Sequence, residues 1–330
     1  MEAEIPLSAP KTSPSLAETE GVPRRYPRRP PPLLSTPPNS SIVVGLIGAG
    51  IQASRTPAMH EQEAVHHGLR YVYRLIDLDR LGLSGSALDE LVLAAERLGF
   101  AGLNITHPCK QAATRLVDFL SPDADAIGAI NTIVFEDGHR IGHNTDCSGF
   151  AESFRRELPE VSRQRVVLLG AGGAGSAVGH ALLRDGAGSI AVFDTAPGRA
   201  AALAMQLEER HGRGCVRAVE DLRPLLRTAD GLVNTTPVGM AKYPGMPIPG
   251  EFLRPELWVA DIVYFPIHTE LLQCAERRGC RTMTGAGMAI SQAAHAFALF
   301  TGRAPDAERM RQYFESAGEA PADRSGATET

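Results

Sequence analysis

A glycine-rich turn after a short apolar run constrains the fold of this 330-residue chain more than any other feature. The apolar run covers residues 166–169, and the turn that follows contains Gly170, Gly172, Gly173 and Gly175. No proline interrupts residues 173–183, so a helix can begin at the glycines with its N-terminal amides free to face a phosphate. This order of strand, glycine turn and helix is typical of a dinucleotide-binding βαβ unit.

A second pair of glycines, Gly48 and Gly50, also follows a predicted strand and matches the dinucleotide pattern by its letters. Here Pro57 falls where the second turn of the helix would be, and proline inside a helix costs roughly 3 kcal/mol. We therefore predict that the helix begins at Pro57 with Thr56 as its N-cap, and that residues 48–56 form an exposed loop. His60, like the other two histidines of this helix, is expected at the surface. We therefore predict that the turn at residues 170–175, and not the one at Gly48 and Gly50, binds the cofactor.

Asp194 supports this assignment, because it ends the next predicted strand, about twenty residues beyond the glycines. A carboxylate at this position can accept hydrogen bonds from the adenosine ribose of NAD and repels the 2′-phosphate of NADP. Arg199 is close in sequence and could attract that phosphate, but it is not adjacent. We predict NAD as the cofactor, with NADP as the less favoured choice.

Short apolar runs alternate with helical patterns over most of the chain, which indicates an α/β fold with parallel strands. The predicted strands cover residues 42–47, 71–75, 102–105, 132–136, 166–169, 190–193, 231–234 and 258–262. A helix at 149–158 and a linker at 159–164 suggest a domain boundary. Residues 1–40, rich in proline, serine and arginine, and residues 317–330 are predicted to be a disordered arm and tail.

The composition excludes several classes of protein. A net charge of −5 argues against nucleic-acid binding, which usually needs a basic face. No apolar run is long enough for a membrane span, and the N-terminus lacks the pattern of a secretory signal. The five cysteines are scattered and form no zinc-ligand or disulfide pattern, so we expect a cytoplasmic protein without a metal.

Polar turns follow two strands of the N-terminal half, at residues 104–110 and 142–146. The ends of strands are where α/β proteins bind ligands. Lys110 in the first turn is one of only three lysines in the chain, the others being Lys11 and Lys242. No Tyr-x-x-x-Lys pair exists, so the dyad of short-chain dehydrogenases is absent, and the missing zinc ligands exclude a zinc alcohol dehydrogenase.

Seven motifs follow one another at residues 54–57, 104–110, 128–132, 142–146, 170–175, 234–240 and 292–297. In sequence and order they resemble those of the shikimate dehydrogenases, and together they cover about residues 42–315. The resemblance implies a substrate-binding catalytic domain at 41–148 and 288–316, to which the C-terminal helices return, and a Rossmann-type NAD-binding domain at 149–287. It also implies a small cyclic hydroxy-carboxylic acid as substrate, and it leaves open whether the enzyme is a homodimer.

The resemblance further implies a role for each motif. Lys110 and Asp146 would be the catalytic pair, facing a cleft opposite the nicotinamide held at the 170–175 turn. The implied substrate ligands are Ser54 and Thr56 for the carboxylate, Thr106, Asn131 and Gln292 for the ring hydroxyls, and Tyr264 beside the nicotinamide. The implied cofactor-binding residues are Gly170, Ala171, Gly172, Gly173, Ala174, Gly175, Asp194, Thr195, Arg199, Thr235, Thr236, Pro237, Val263, Gly285 and Met288.

The chemistry of the pair agrees with such a role, since a lysine can transfer a proton if its pKa is lowered. A neighbouring carboxylate favours the charged lysine instead, so the sequence leaves open whether Lys110 alone or a relay with Asp146 moves the proton.

Three positions depart from the usual family pattern. Thr56 stands where biosynthetic shikimate dehydrogenases have the second serine of Ser-x-Ser, and Asp194 replaces their NADP-binding stretch. Both departures resemble the NAD-dependent quinate/shikimate dehydrogenase branch. Cys109 stands where a tyrosine or phenylalanine is usual, which can alter the packing around Lys110.

Several alternatives remain at this stage. They are an NADP-dependent biosynthetic shikimate dehydrogenase, an aminoshikimate or aminoquinate dehydrogenase, and a non-catalytic NAD-binding regulator. A methylene-tetrahydrofolate dehydrogenase has a similar layout, but its substrate motifs are not seen.

Overall fold

Two β-sheets organise the chain, which a computed structural model describes at residues 24–25 and 41–316. The strands of the first sheet are β1 (Arg24–Arg25), β2 (Ile42–Gly48), β3 (Tyr71–Asp77), β4 (Gly102–Ile105), β5 (Phe119–Leu120), β6 (Thr132–Glu136) and β7 (His139–His143). They lie in the order β1-β5-β7-β6-β4-β2-β3, and β6 runs antiparallel to both of its neighbours. This sheet is therefore mixed rather than wholly parallel.

The second sheet is wholly parallel. Its strands are β8 (Arg165–Leu169), β9 (Ser189–Phe193), β10 (Val216–Ala218), β11 (Gly231–Asn234), β12 (Trp258–Asp261) and β13 (Thr282–Met283). Their order, β10-β9-β8-β11-β12-β13, is that of a Rossmann fold, in which the chain reverses direction across the sheet between the first and fourth strands. Ligands bind at this reversal point, between β8 and β11, so the fold positions the glycine turn after β8 at a ligand site.

Helices cover both sheets. They are α1 (Thr56–His66), α2 (Leu78–Leu81), α3 (Leu88–Arg97), α4 (Pro122–Ile127), α5 (Thr145–Glu157), α6 (Gly173–Arg184), α7 (Arg199–His211), α8 (Arg223–Leu226), α9 (Glu270–Arg277), α10 (Gly285–Thr301) and α11 (Ala307–Ser316). Short 3-10 helices lie at Gly85–Ala87, Ala112–Leu116 and Gly250–Phe252. Within residues 41–316, no helix is both long and apolar enough to cross a bilayer.

Alternation along β8 shows why the second sheet is buried on both faces. Val166 and Leu168 point into one apolar cluster with Phe150 and Phe154 of α5. The intervening residues of the strand join a second cluster, on the opposite face, with α9. A strand buried on both faces has a continuous apolar sequence, which is what residues 166–169 show.

Helices α5 and α10 connect the two sheets. The first turn of α10 lies against the loop after β12, and its last turn packs Phe300 against Gly102 of β4. A methyl group on Gly149 of α5 would lie only 2.9 Å from the backbone nitrogen of Gln292, so the two helices cross closely. The C-terminal helices thus pack on the first sheet, as expected for the predicted fold.

The predicted α/β class is confirmed, and all eight predicted strands are present. The strands that the sequence pattern did not predict are β1, β5, β7, β10 and β13. Of the predicted arm, only Arg24 and Arg25 are described, and their backbone pairs in parallel with Phe119 and Leu120. The remainder of the arm and the tail at 317–330 lie outside the described residues, and the domain limits stay a prediction.

Gly231 offers a test of the packing between β11 and β12. An alanine Cβ there would lie 2.0 Å from the indole ring of Trp258, which is buried and donates to the Ser162 carbonyl. We expect Gly231→Ala to lower the free energy of unfolding in urea by about 3 kcal/mol, because the core would be overpacked. The control, Gly85→Ala, has space of 3.9 Å or more around the new methyl and should change it by less than about 1 kcal/mol. Equal effects of the two variants would contradict this packing.

Candidate active site

Lys110 and Asp146 form an ion pair, with 2.5 Å between Nζ and Oδ2. Lys110 lies in the turn that follows β4, and Asp146 lies in the first turn of α5. Their side chains are only 21% and 7% exposed. The pair therefore sits in a partly dehydrated environment, where its electrostatic interactions are stronger than in water.

The start of α5 holds the carboxylate in place. Asn144 caps the helix, and its side-chain oxygen accepts from the backbone N–H of Asp146 (3.1 Å) and of Cys147 (3.3 Å). A carboxylate in the first turn also interacts favourably with the positive end of the helix dipole. The position of Asp146 is therefore determined by the residue at which α5 begins.

Asn131, at the end of the loop before β6, completes the hydrogen bonding of Asp146. Its Nδ2 donates to Asp146 Oδ1 (3.0 Å) and to Thr145 Oγ1 (2.9 Å), and its Oδ1 accepts from the Thr145 N–H (2.9 Å). Both N–H donors of the buried amide are thus engaged within the protein. The role predicted for Asn131, donation to a substrate hydroxyl, would require one of these bonds to open, and it stays a prediction.

The glycine turn after β8 has the geometry of a phosphate-binding loop. Gly170 has a φ of +95°, and a methyl group on Gly175 would lie 2.1 Å from the Gly170 carbonyl oxygen, so both positions require glycine. Helix α6 begins at Gly173 and has no side-chain cap, which leaves its first amides available to a pyrophosphate. These residues fit a nicotinamide dinucleotide.

Lys110 lies directly beside this turn. A methyl group on Gly173 would be 3.7 Å from Cβ and 3.8 Å from Cδ of Lys110. Because Lys110 follows β4 of the first sheet and Gly173 follows β8 of the second, the ion pair lies where the two sheets meet. The structure thus brings the amine, the carboxylate and the dinucleotide loop into one cleft.

Asp194 and Arg199 lie together beside the glycine turn. Asp194 Oδ2 accepts from the Ala171 N–H (2.7 Å), and Oδ1 accepts from the Ala196 N–H (2.8 Å). Arg199 Nε is 3.9 Å from the same carboxylate, and the guanidinium also borders Gly172. The negative charge of Asp194 is therefore partly balanced by a guanidinium whose side chain is 53% exposed.

The other glycine loop is filled by the protein itself. The backbone N–H groups of Gly50 and Ile51 donate to the carboxylate of Asp77, at 2.9 and 3.2 Å. Although burial opposes it, hydrogen bonds from Gln52 and these amides lower the pKa of Asp77. The backbone amides that could have bound a phosphate therefore donate to the Asp77 carboxylate instead.

Two local predictions about this region were wrong. Helix α1 begins at Thr56, one residue earlier than predicted, with Arg55 at the N-cap position and no side-chain cap. Thr56 is consequently not the cap, and the Ser54 hydroxyl accepts its backbone N–H at 3.3 Å. The loop is also not exposed throughout, because Ile51 is buried against the first sheet.

Arg55 lies in the loop predicted to bind the substrate carboxylate, and it contacts the C-terminal helix α11. Its Nη1 donates to the Phe314 carbonyl (2.8 Å), and the guanidinium lies 4.9 Å from the centre of the Phe314 ring.

Tyr264 is close enough to Asp146 and Arg55 for both charges to act on its hydroxyl. Burial of that hydroxyl and the charge of Asp146 raise the pKa of Tyr264, although the residue as a whole is 41% exposed.

The remaining predicted site residues lie around these groups. Thr106 directly follows β4, and Gln292 Nε2 donates to the Ala289 carbonyl within α10. Thr235 Oγ1 donates to the carbonyls of Leu169 and Gly170, so it holds the backbone at the start of the glycine turn. The others lie in the loops after β9, β11 and β12 or in the first turn of α10: Thr195, Thr236, Pro237, Val263, Gly285 and Met288.

Sequence reasoning missed the roles of two residues that bond to Asn131, and it misplaced His60. Asn104 and Thr145 belong to motifs that were noted, yet neither was assigned a role. Cys109, next to Lys110, is buried and, like the other four cysteines, carries a free thiol. His60 was expected at the surface but is fully buried between α1 and the first sheet, and burial lowers its pKa to about 3.

Comparison with known proteins places this site in a family. Residues 46–133 match the model described as the shikimate dehydrogenase substrate binding domain, and residues 285–312 match the shikimate 5'-dehydrogenase C-terminal domain. A shikimate dehydrogenase (NADP(+)) of Streptomyces avermitilis is 57% identical over 272 residues, covering 82% of this chain and 94% of that protein. A quinate/shikimate dehydrogenase (NAD(+)) of Corynebacterium glutamicum is 47% identical over 281 residues, covering 84% and 99%.

Solved structures agree with these relatives. The quinate dehydrogenase from Corynebacterium glutamicum in complex with NAD superposes with a TM-score of 0.79 at 47% identity, covering 84% of this chain and 99% of that one. The fold and the cleft are those of an NAD(P)-dependent oxidoreductase. The chain belongs to the shikimate dehydrogenase family, which includes the quinate/shikimate dehydrogenases.

Asp261, at the end of β12, gives a prediction about pH. Burial raises its pKa to about 6, against hydrogen bonds from Thr269, Val263 and Asn234. The folded state therefore binds this proton more tightly than the unfolded state, and the stability that it contributes below pH 4 is lost as the pH rises to about 6. Asp261→Asn removes this loss, so its unfolding free energy relative to the native enzyme should rise by roughly 2 kcal/mol between pH 4 and pH 7.

The measurement is urea unfolding at a series of pH values. Asp230→Asn is the control, because hydrogen bonds from Arg165 outweigh burial and lower the pKa of Asp230. That variant should lose stability relative to the native enzyme only as the pH rises to about 4, and it should change little relative to the native enzyme between pH 4 and pH 7. Parallel pH curves for the native enzyme and Asp261→Asn would contradict the prediction.

Proposed function

We propose that this enzyme oxidises a ring hydroxyl of quinate or shikimate to the 3-dehydro ketone, reversibly, with NAD as the preferred cofactor. The observation that carries the proposal is the Lys110–Asp146 pair beside the N-terminus of α6. This arrangement places a group that can exchange a proton next to the loop that fits a nicotinamide dinucleotide. A non-catalytic regulator would not need a partly buried ion pair facing that loop.

The proton chemistry belongs to the chain's own residues. Oxidation of an alcohol removes a hydroxyl proton and a hydride from one carbon, and the bound nicotinamide supplies the hydride acceptor. After releasing its own proton to water, Lys110 takes the hydroxyl proton as the neutral amine, and in the reverse direction its ammonium returns a proton to the ketone oxygen. Asp146 holds Lys110 by their 2.5 Å contact and balances its charge in the partly dehydrated cleft.

The substrate carboxylate is assigned to Ser54 and Thr56. Both belong to the loop that precedes and begins α1, where hydroxyl groups and the first helical amides can bind an anion. Arg55 lies between them, and its positive charge favours a carboxylate nearby. Tyr264, within electrostatic reach of both Arg55 and Asp146, is assigned to the substrate ring.

Preference for NAD is supported by the carboxylate of Asp194, which is bonded to the glycine turn and would repel a 2′-phosphate. The relative that binds NAD in its solved structure agrees with this preference.

A specific observation favours the alternative, an NADP-dependent shikimate dehydrogenase. Arg199 lies 3.9 Å from Asp194 and is half-exposed, so it could pair with a 2′-phosphate, and the relative at 57% identity is named for NADP.

Lys110→Met tests the catalytic assignment, since methionine keeps the bulk of the side chain and removes the amine. We expect kcat to fall by about 10²–10⁴, the usual contribution of a proton-transferring group, with little change in the Kd for NAD. The matched control is Lys242→Met, because Lys242 is exposed and its amine lies over the Tyr243 ring. Turnover of Lys110→Met within tenfold of the native enzyme would remove Lys110 from the mechanism.

Steady-state rates with NAD and with NADP test the cofactor assignment. They are measured with quinate, shikimate and their amino analogues, so that one panel also identifies the substrate. We expect kcat/KM to favour NAD by at least about tenfold, equivalent to about 1.4 kcal/mol, and Asp194→Asn to reduce that ratio. A tenfold preference for NADP that is lost in Arg199→Met would support the alternative instead.

A further inference from the structure

A line of buried side chains extends from the catalytic pair into the first sheet. The Tyr73 hydroxyl donates to Asn104 Oδ1 at 2.7 Å, and Asn104 Nδ2 donates to Thr132 Oγ1 at 3.0 Å. The Thr132 hydroxyl donates to Asn131 Oδ1 at 3.0 Å, and Asn131 Nδ2 donates to Asp146. None of these four side chains is more than 6% exposed. We call this series the donor chain.

Strand pairing explains how the donor chain forms. Asn104 of β4 is in register with Thr132 of β6 on one side and with Leu46 of β2 on the other. Tyr73 of β3 is in register with Val44 of β2, two residues before Leu46. Side chains two apart on a strand point to the same face, so Tyr73, Asn104 and Thr132 all lie on one face of the sheet.

All the hydrogen bonds of the donor chain run in one direction, toward the Asp146 carboxylate. Burial raises the pKa of Tyr73, so its hydroxyl remains protonated and can donate. That donation fixes the orientation of the Asn104 amide, with Oδ1 toward Tyr73 and Nδ2 toward Thr132. The Thr132 oxygen then accepts from Asn104, and its own hydrogen is directed to Asn131 Oδ1. Asn131 is left with its Nδ2 facing the carboxylate.

We propose that Tyr73 is a positioning residue, whose hydroxyl, acting through Asn104, Thr132 and Asn131, sets the orientation of the Asp146 carboxylate against Lys110. The inference rests on the proposed function, because it assigns Tyr73 to the same reaction. Tyr73 does not transfer a proton itself. It supplies the terminal donor of a series in which each bond fixes and polarises the next.

Loss of the Tyr73 hydroxyl has a defined consequence. Asn104 Oδ1 would be buried without a donor, which is unfavourable. The amide can respond by rotating through 180°, but its oxygen then faces the Asn131 carbonyl and draws the Thr132 hydrogen away from Asn131. In either orientation Asn131 is held less firmly, and the carboxylate of Asp146 loses its fixed partner.

Tyr73→Phe tests the proposal, with Tyr71→Phe as the matched control. Tyr71 lies on the same strand, and its hydroxyl bonds to His60 Nδ1 at 2.9 Å, outside the donor chain. In Tyr73→Phe, kcat with quinate or shikimate should fall about tenfold, equivalent to about 1.4 kcal/mol, with a KM change below about threefold. The midpoint of the pH profile of kcat should shift by about half a pH unit or more, since the environment of the Lys110–Asp146 pair changes. Tyr71→Phe should leave both quantities unchanged.

Thr132→Val breaks the donor chain at a second point with little change in volume, and it carries the test if Tyr73→Phe does not fold. If the donor chain acts as one unit, the double variant should be no slower than the slower single variant. Additive losses in kcat, or a Tyr73→Phe enzyme with the kcat and pH profile of Tyr71→Phe, would overturn the proposal. So would a rise in KM at constant kcat, which would make Tyr73 part of the substrate pocket.

These outcomes are separate from those of the proposed function. Full turnover by Lys110→Met would contradict the proposed mechanism whatever Tyr73 does. An inactive Lys110→Met together with an unaffected Tyr73→Phe would contradict the positioning role alone.

Discussion

The ion pair between Lys110 and Asp146 is the interaction on which the rest of the site depends. Two opposite charges with little exposure lose much of their hydration, and their attraction offsets that loss only when further hydrogen bonds complete the site. Here the capped start of α5 and the amide of Asn131 provide them. The cleft can therefore hold Asp146 largely shielded from solvent while Lys110 stays exposed enough to exchange a proton.

The two sheets contribute different parts of the chemistry, and the contact between them joins those parts. The first sheet places the pair at the ends of β4 and β7, and the second sheet presents the amides of α6. Lys110 touches the turn at Gly173, so proton exchange and cofactor binding meet at one point. Helices α5 and α10 contact both sheets, and the small residue Gly149 lets the two helices cross closely.

Local patterns in the sequence predicted most of the fold, because buried parallel strands have continuous apolar runs that do not depend on distant residues. Strand β7 was missed, since only one of its five residues is strongly apolar, although Asp137 and Gly138, with φ of 50° and 76°, form the kind of turn that favours a hairpin. His60 was misplaced for a related reason. Helix α1 packs against α10 and α11 as well as β3, so its buried residues do not form one apolar stripe.

The candidate site was predictable where its residues cluster at strand ends and not where they depend on strand register. Lys110 and Asp146 belong to contiguous polar turns, whereas Tyr73 lies within a strand that has no motif. Its link to Asn104 exists only because β3, β2, β4 and β6 pair in one register, and a shift of one residue would turn its hydroxyl to the opposite face. Such a residue carries no local mark in the sequence. The physical requirement that buried polar groups be satisfied nonetheless leads from the carboxylate of Asp146 outward to Tyr73, one hydrogen bond at a time.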